Sequence, residues 1–247
     1  MTAYASWLHD GGVAIFLFHG VIGRQRHAVR NYTGKHLPRD RFTAILDELC
    51  RDGVPVSLAD VVAAHEGRRA LPPRAFALTF DDGFENNYSI AASELRARRL
   101  PATWYITTGF VDTNAASWTD MIEYAVERTP AVALTLPLPG LRGTYATIEE
   151  KRALMQTIRQ AVKEDPGLDP YAFAGEVWRQ LGVTAMDPDA ELDQKMSWAQ
   201  VRALGQDPLF TIGGHGRTHR ILEYLDDRAL EEEVAASLDA LQAHAGI

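Results

Sequence analysis

The sequence predicts an α/β fold built on a parallel sheet, and three observations carry that expectation. Short apolar runs recur at Val13–Phe18, Ala75–Phe80, Ala102–Thr107 and Leu209–Ile212. Each is continuous rather than alternating, as in a strand covered on both faces. Helical patterns lie between them, so strands and helices alternate, which implies βαβ units with right-handed crossovers.

In chain order, VAIFLF (13–18) is the first strand and ends on His19. Phe42, Ile45, Leu46 and Leu49 stripe a helix that Asp52-Gly53 ends. Cys50 falls in that pattern and reads as a core thiol; as the only cysteine it excludes a disulfide framework within the chain. Ser57–His65 is a shorter helix. AFALTF (75–80) is the next strand and runs into Asp81-Asp82-Gly83. Asn87–Arg99 is helical and closed by Leu100-Pro101, and Ala102–Thr107 follows as a strand.

Residues 117–196 then break the rhythm, with prolines at 130, 137, 139, 166, 170 and 188 and helical stretches near 147–164 and 170–181. They are expected to form a mostly helical insertion, either a cap beside the site or a plain structural excursion. Ser197-Trp-Ala-Gln200 has the capping-box pattern and reopens the core. Leu209–Ile212 leads into Gly213-Gly214-His215. Leu230, Val234, Leu238 and Leu241 stripe the last helix, and Glu231-Glu232-Glu233 at its start suits the helix dipole, with no catalytic role expected.

The chain has 247 residues, 46% hydrophobic and 23% charged, enough for one α/β domain, expected here over 1–247. The net charge of -8 argues against a nucleic-acid partner. The N-terminus lacks the basic start and cleavage site of a signal peptide, and VAIFLF is too short to span a bilayer. A cytoplasmic protein without a transmembrane segment is expected; the oligomeric state stays open.

In parallel α/β folds, sites gather where strands end at their carboxyl edge. Three of the predicted strands end in ionisable groups: His19, Asp81-Asp82, and His215 with His219. Successive side chains at a strand end point apart. One aspartate can therefore bind a cation while the other accepts a proton, though Asp-Gly is also a common turn. Histidines four apart share a face if the segment is helical and then reach one ion; the alternative is a pair of surface histidines. With Asp82 as third ligand, two imidazoles and a carboxylate leave room for water.

LPPRAFALTFDDG (71–83) and GGHGRTH (213–219) resemble the polysaccharide deacetylases, the NodB-homology family of carbohydrate esterases. LPATWYITTGFVD (100–112) and the segment from Trp198 to Leu204 are similar to further family segments. The resemblance implies a distorted (β/α) barrel with one divalent ion. Zinc is the first choice, and cobalt, nickel or iron suit the same ligands. It implies Asp81 as general base and Asp82, His215 and His219 as ligands. Leu17-Phe18-His19 resembles the family motif that carries the catalytic acid. Its place ahead of Asp81-Asp82 is that of the circularly permuted branch, which includes poly-N-acetylglucosamine deacetylases.

Position 216 is Gly where the family has Ser or Thr, with Thr218 as a stand-in. The family's arginine and aromatic-rich motifs are not found, so the barrel is expected to be incomplete at the C-terminus. Trp104, Tyr105 and Trp118 are candidates to stack on a sugar, though Trp104 and Tyr105 alternate in a strand, so at least one of them is expected in the core. Arg217 is expected either to be solvated or to contact substrate, and a backbone N–H near Trp104–Thr107 is a candidate for the oxyanion. His27, His36, His65 and His244 are expected to be solvated. The implied reaction removes N-acetyl groups from an acetylated amino sugar or glycan. The alternatives are an O-acetyl esterase or other linear amide hydrolase on the same site, or a degenerate glycan-binding domain.

Overall fold

A computed structural model describes residues 4–136 and 141–247; Pro137 and Pro139 of the insertion lie outside them. The chain runs β1 (Val13–Phe18), β2 (Gly20–Ile22), β3 (His36–Pro38), α1 (Arg39–Asp52), β4 (Val54–Pro55), α2 (Leu58–His65), β5 (Ala75–Phe80), α3 (Ala92–Arg98), β6 (Ala102–Ile106), α4 (Thr108–Thr113), α5 (Trp118–Arg128), β7 (Val132–Thr135), β8 (Arg142–Tyr145), α6 (Ile148–Glu164), α7 (Pro170–Leu181), α8 (Trp198–Gly205), β9 (Phe210–Gly214) and α9 (Asp227–Ala245). The alternation of strands and helices follows the sequence pattern, and the capping boxes of Ser57, Thr147 and Ser197 open α2, α6 and α8.

The main sheet is parallel, in the order β1-β5-β6-β9. Val13 and Val54 both pair with Ala75, so β1 and β4 lie on opposite edges of β5. β4 takes the start of that second edge and β6 takes its end, at Thr79 and Phe80. Among the described residues, β1 and β9 each have one strand neighbour, so the sheet is an open arc. A row of aromatic side chains crosses it, from the last residues of β1 and β5 to the first residue of β9. Phe18 stacks on Phe80 at 5.3 Å, Phe80 meets Trp104 at 4.3 Å, and Phe210 stands edge-on to Trp104 at 5.4 Å. These ring contacts tie β1, β5, β6 and β9 together.

Phe42, Ile45, Leu46 and Leu49 of α1 are buried in the main core, as their spacing predicts. Three expectations need correction. β1 is not covered on both faces: Ile15 and Leu17 are 52% and 54% exposed. In α9 the expected stripe is turned outward at Val234 and Leu238, and the helix buries Glu233, Ser237, Ala240 and Leu241. Cys50 is exposed rather than a core thiol.

The insertion folds as α5, the antiparallel β7–β8 hairpin, α6 and α7 around a second apolar cluster that includes Ile122, Met155, Ile158, Phe173 and Val177. Its return segment straps across the turn after β5. The Glu85 amide donates to the Gln194 carbonyl at 2.8 Å, and the Met196 amide to Gly83 at 2.9 Å. Among the described residues no helix is long and apolar enough to cross a membrane.

Candidate metal centre

β5 delivers Asp81 and Asp82 to the rim. The Asp81 amide donates to the Phe18 carbonyl at 3.0 Å, which continues the β1–β5 ladder one residue past the strands. Asp82 then takes a left-handed conformation (φ 76) and Gly83 follows at φ 87. For a residue with a side chain this costs about 1–3 kcal/mol and persists only where the surroundings fix it. Here the Gly83 amide closes back on Asp81 at 3.0 Å and the Thr107 amide donates to the Asp82 carbonyl at 3.4 Å. That amide, one of those in the Trp104–Thr107 segment expected near an oxyanion, is thus turned to the chain itself.

β9 delivers the histidines. The His215 amide donates to Ile106 at 2.8 Å. The next four residues are a loop, not the helical turn that would set histidines four apart on one face. Gly216 (φ 78) and His219 (φ 60) are both left-handed. A Cβ at Gly216 would lie 2.8 Å from Glu233 Oε1, which explains the glycine where the family carries a hydroxyl. The Thr218 amide donates to Glu233 Oε1 at 2.6 Å and its hydroxyl to Oε2 at 2.8 Å. Thr218 and Glu233 therefore tie the loop to α9. The acidic run Glu231-Glu232-Glu233 predicts only a dipole role for Glu233, because the run hides one buried member among solvated ones.

The loop brings His219 Nε2 to 3.1 Å and His215 Nε2 to 3.7 Å from Asp82 Oδ1. The three ligand atoms lie within 4.8 Å of one another, and among the described residues this trio is the one group able to hold a metal ion. Asp82 Oδ1 is buried with no partner in hydrogen-bond geometry, as is His219 Nδ1. An orphaned carboxylate oxygen facing two imidazole nitrogens fits the donor set of a divalent transition ion. Asp81 stands beside the trio, its Oδ2 3.9 Å from His215 Nε2.

The two carboxyl groups are driven apart electrostatically. Burial works against the charge of Asp82, but His219, Lys35 and His19 outweigh it and hold the carboxyl well below the usual range. Burial pushes Asp81 up, and the charge of Asp82 adds to that against the pull of His215 and His219. Neighbouring carboxyls displaced in opposite senses suit opposite tasks, one ligating and one exchanging a proton. His19 lies within the field of Asp82, His215 and His219; burial draws its imidazole down, with Asp82 opposing.

Other expectations fare differently. Trp104 is fully buried in the aromatic row and offers no surface to a substrate. Tyr105, the next residue and so on the opposite face, is half-buried; burial and the charge of Asp81 push its phenol up. Arg217 pairs with Asp112 at 2.6 Å, and its carbonyl accepts from Gly109 at 2.9 Å, so it braces the loop. His36 is buried and His27 is engaged at both ring nitrogens, neither being solvated as expected. His65 and His244 are exposed. Lys35, which the sequence did not single out, is paired with buried Asp120 at 2.5 Å and places a cation near Asp82.

A cavity of about 340 Å³ opens beside His215 and His219, walled by Trp118, Lys163, Arg220 and Leu238. A second, of about 550 Å³, shares Trp118 and His219 and reaches Tyr171. The insertion thus contributes Trp118, Lys163 and Tyr171 to the surroundings of the candidate metal ligands.

A stretch of 115 residues, 47% of this chain, is 38% identical to poly-beta-1,6-N-acetyl-D-glucosamine N-deacetylase of Escherichia coli K12, of which it spans 16%. Among solved structures, IcaB from Ammonifex degensii is similar in fold (TM-score 0.53, 17% identity, 97% of this chain and 72% of that one). So is the Streptococcus pyogenes deacetylase PplD (TM-score 0.56, 13% identity, 96% and 70%). The family model described as polysaccharide deacetylase matches residues 68–247, most of the chain and all four of Asp81, Asp82, His215 and His219; the chain belongs to the polysaccharide deacetylase family.

Proposed function

We propose that this protein is a metal-dependent deacetylase that removes N-acetyl groups from an amino-sugar glycan. The observation that carries the reading is the convergence of Asp82, His215 and His219 on one point of the sheet rim, with Asp81 alongside. The matched E. coli relative is named as a deacetylase of poly-beta-1,6-N-acetyl-D-glucosamine, which supports a β-linked N-acetylglucosamine polymer as substrate.

Asp82, His215 and His219 would hold the ion, and zinc suits two imidazoles and a carboxylate. A divalent ion there supplies Lewis acidity, lowering the pKa of a water and polarising the acetyl carbonyl. Asp81 takes a proton from the attacking water. His19 gives a proton to the departing nitrogen, so that acetamide and water become acetate and a free amine. The downward push on its imidazole makes it a readier donor once protonated.

The test is release of acetate from N-acetylglucosamine oligomers by the metal-loaded protein, by the chelated protein, and by the chelated protein resupplied with zinc. Activity that survives complete removal of metal would rule the reading out. Running O-acetylated sugars in parallel separates amide from ester hydrolysis on the same site.

A further inference from the structure

One carboxamide joins the two halves of this site. Asn86 is 2% exposed and follows the Asp81-Asp82-Gly83 turn by three residues. Its Oδ1 accepts the amide of Val21 at 3.2 Å. Its Nδ2 donates to the Glu191 carbonyl at 2.7 Å and to Nδ1 of His36 at 2.9 Å. A ring nitrogen that accepts cannot carry the proton, so neutral His36 holds it on Nε2. That atom is buried without a hydrogen-bond partner, and the ring stands edge-on to Phe84 at 4.4 Å.

His36 pairs in the short β2–β3 ladder with Gly20, the residue directly after His19. A Cβ at Gly20 would lie 2.1 Å from His36 Nδ1 and 2.8 Å from Asn86 Oδ1. The chain leaving His19 is therefore pressed against His36 and Asn86 with no slack. On the other side of His19, the Phe18 carbonyl accepts from the Asp81 amide at 3.0 Å. Both anchors of His19 thus come from segment 81–86, the segment that carries the base and a metal ligand.

We propose that Asn86 is a positioning residue for His19. With Gly20 and His36 it fixes the backbone that aims the imidazole, and it locks that backbone to the turn bearing Asp81 and Asp82. Acid and base act on one substrate atom pair and must share a frame to within a fraction of an ångström. The proposal rests on His19 being the acid.

The test is a cycle of His19→Ala, Asn86→Ala and the double variant, each with its metal content verified. Substrates are an N-acetylglucosamine oligomer and an aryl acetate whose phenolate leaves without protonation. Asn86→Ala is expected to lower kcat on the amide by about tenfold or more. KM should change by less than about twofold, and the ester should suffer less than the amide. The double variant should be no slower than His19→Ala alone, as for residues that act as a unit. Losses that add in the double variant, or that are equal on both substrates, would overturn the proposal in favour of a general structural role. A His19→Ala protein as active as wild type on the amide would instead overturn the assignment on which it rests. Asn86→Asp, which keeps the acceptor for Val21, provides the same comparison if Asn86→Ala does not fold.

Discussion

β1 and β5 lie side by side in full register, six residues each, and all but one of those twelve positions is apolar. β5 is buried at every position, whereas β1 exposes Ile15 and Leu17. Composition does not separate them; position does. β5 has strand partners on both edges, while among the described residues β1 has one strand partner. The consequence reaches the site. Asp81 and Asp82 stand on the enclosed strand, and His19 stands on the open one. In the proposed site, Asp82 as ligand takes its rigidity from the core, whereas His19 as acid takes it from side-chain bonds beyond the strand end, those of Asn86 and His36.

The largest contrast should come at the two strand ends. Asp82→Ala is expected to abolish metal binding and with it turnover, by more than the roughly 10–100-fold lost when an outer-shell partner is removed. His19→Ala should keep the metal and lose amide hydrolysis. Metal analysis beside initial rates reads both, and metal retained in Asp82→Ala would break the assignment.

Next come the strands themselves. Leu78→Ala in β5 should destabilise by about 2–5 kcal/mol, the range for a buried leucine. Leu17→Ala in β1 should stay within about 0.5 kcal/mol, as surface changes do. Urea midpoints measure both. An equally large loss for Leu17→Ala would mean that this face of β1 is covered in solution.

A smaller effect tests the loop from β9. Glu233→Ala removes both acceptors of Thr218 and should weaken metal binding by about 10–100-fold, with Glu233→Gln falling between. Competition with a chelator of known affinity would report it; unchanged affinity would show that the loop holds its shape without α9.

The smallest effect lies in the loop that follows β2. His27 Nδ1 meets Glu127 at 2.6 Å and Nε2 meets Asp189 at 2.9 Å. Burial opposes its charge, but the bonds to Asp189 and Glu127 prevail and raise its pKa. A raised folded-state value means that the protonated imidazole stabilises the fold fully below its unfolded value of about 6.5. The contribution is lost as the pH rises through the higher folded value. Wild type should therefore lose stability over that alkaline step, and His27→Gln should lose less. Parallel pH profiles of the two proteins would contradict this.

Much of the site was legible because its residues sit where local rules apply. Asp81-Asp82-Gly83 and HGRTH each follow an apolar run, and strand ends in a parallel sheet face one rim. Asn86, Glu233 and Lys35 were not legible. Each is a polar residue in a polar stretch, and its importance comes from a partner 65, 15 or 85 positions away. Of Trp104 and Tyr105, which alternate in β6, only the structure decides which is core: Trp104, beside the site in sequence, is in space the support beneath it.

By itself the sequence determined the alternation of strands and helices, the parallel sheet, the boundaries of α6 and α7 to within a residue, and which side chains stand at the strand ends. These follow from hydrophobic spacing, capping residues and the two-residue period of a strand, all properties of a few neighbouring positions. Tertiary structure alone decided which apolar faces are covered, as in β1 and α9, and that a left-handed loop rather than a helix brings His219 to Asp82. It also decided that buried Asn86 joins the chain leaving β1 to the segment after β5. Burial and hydrogen bonding are relations between distant segments, and they acquire a value only once the chain has brought those segments together.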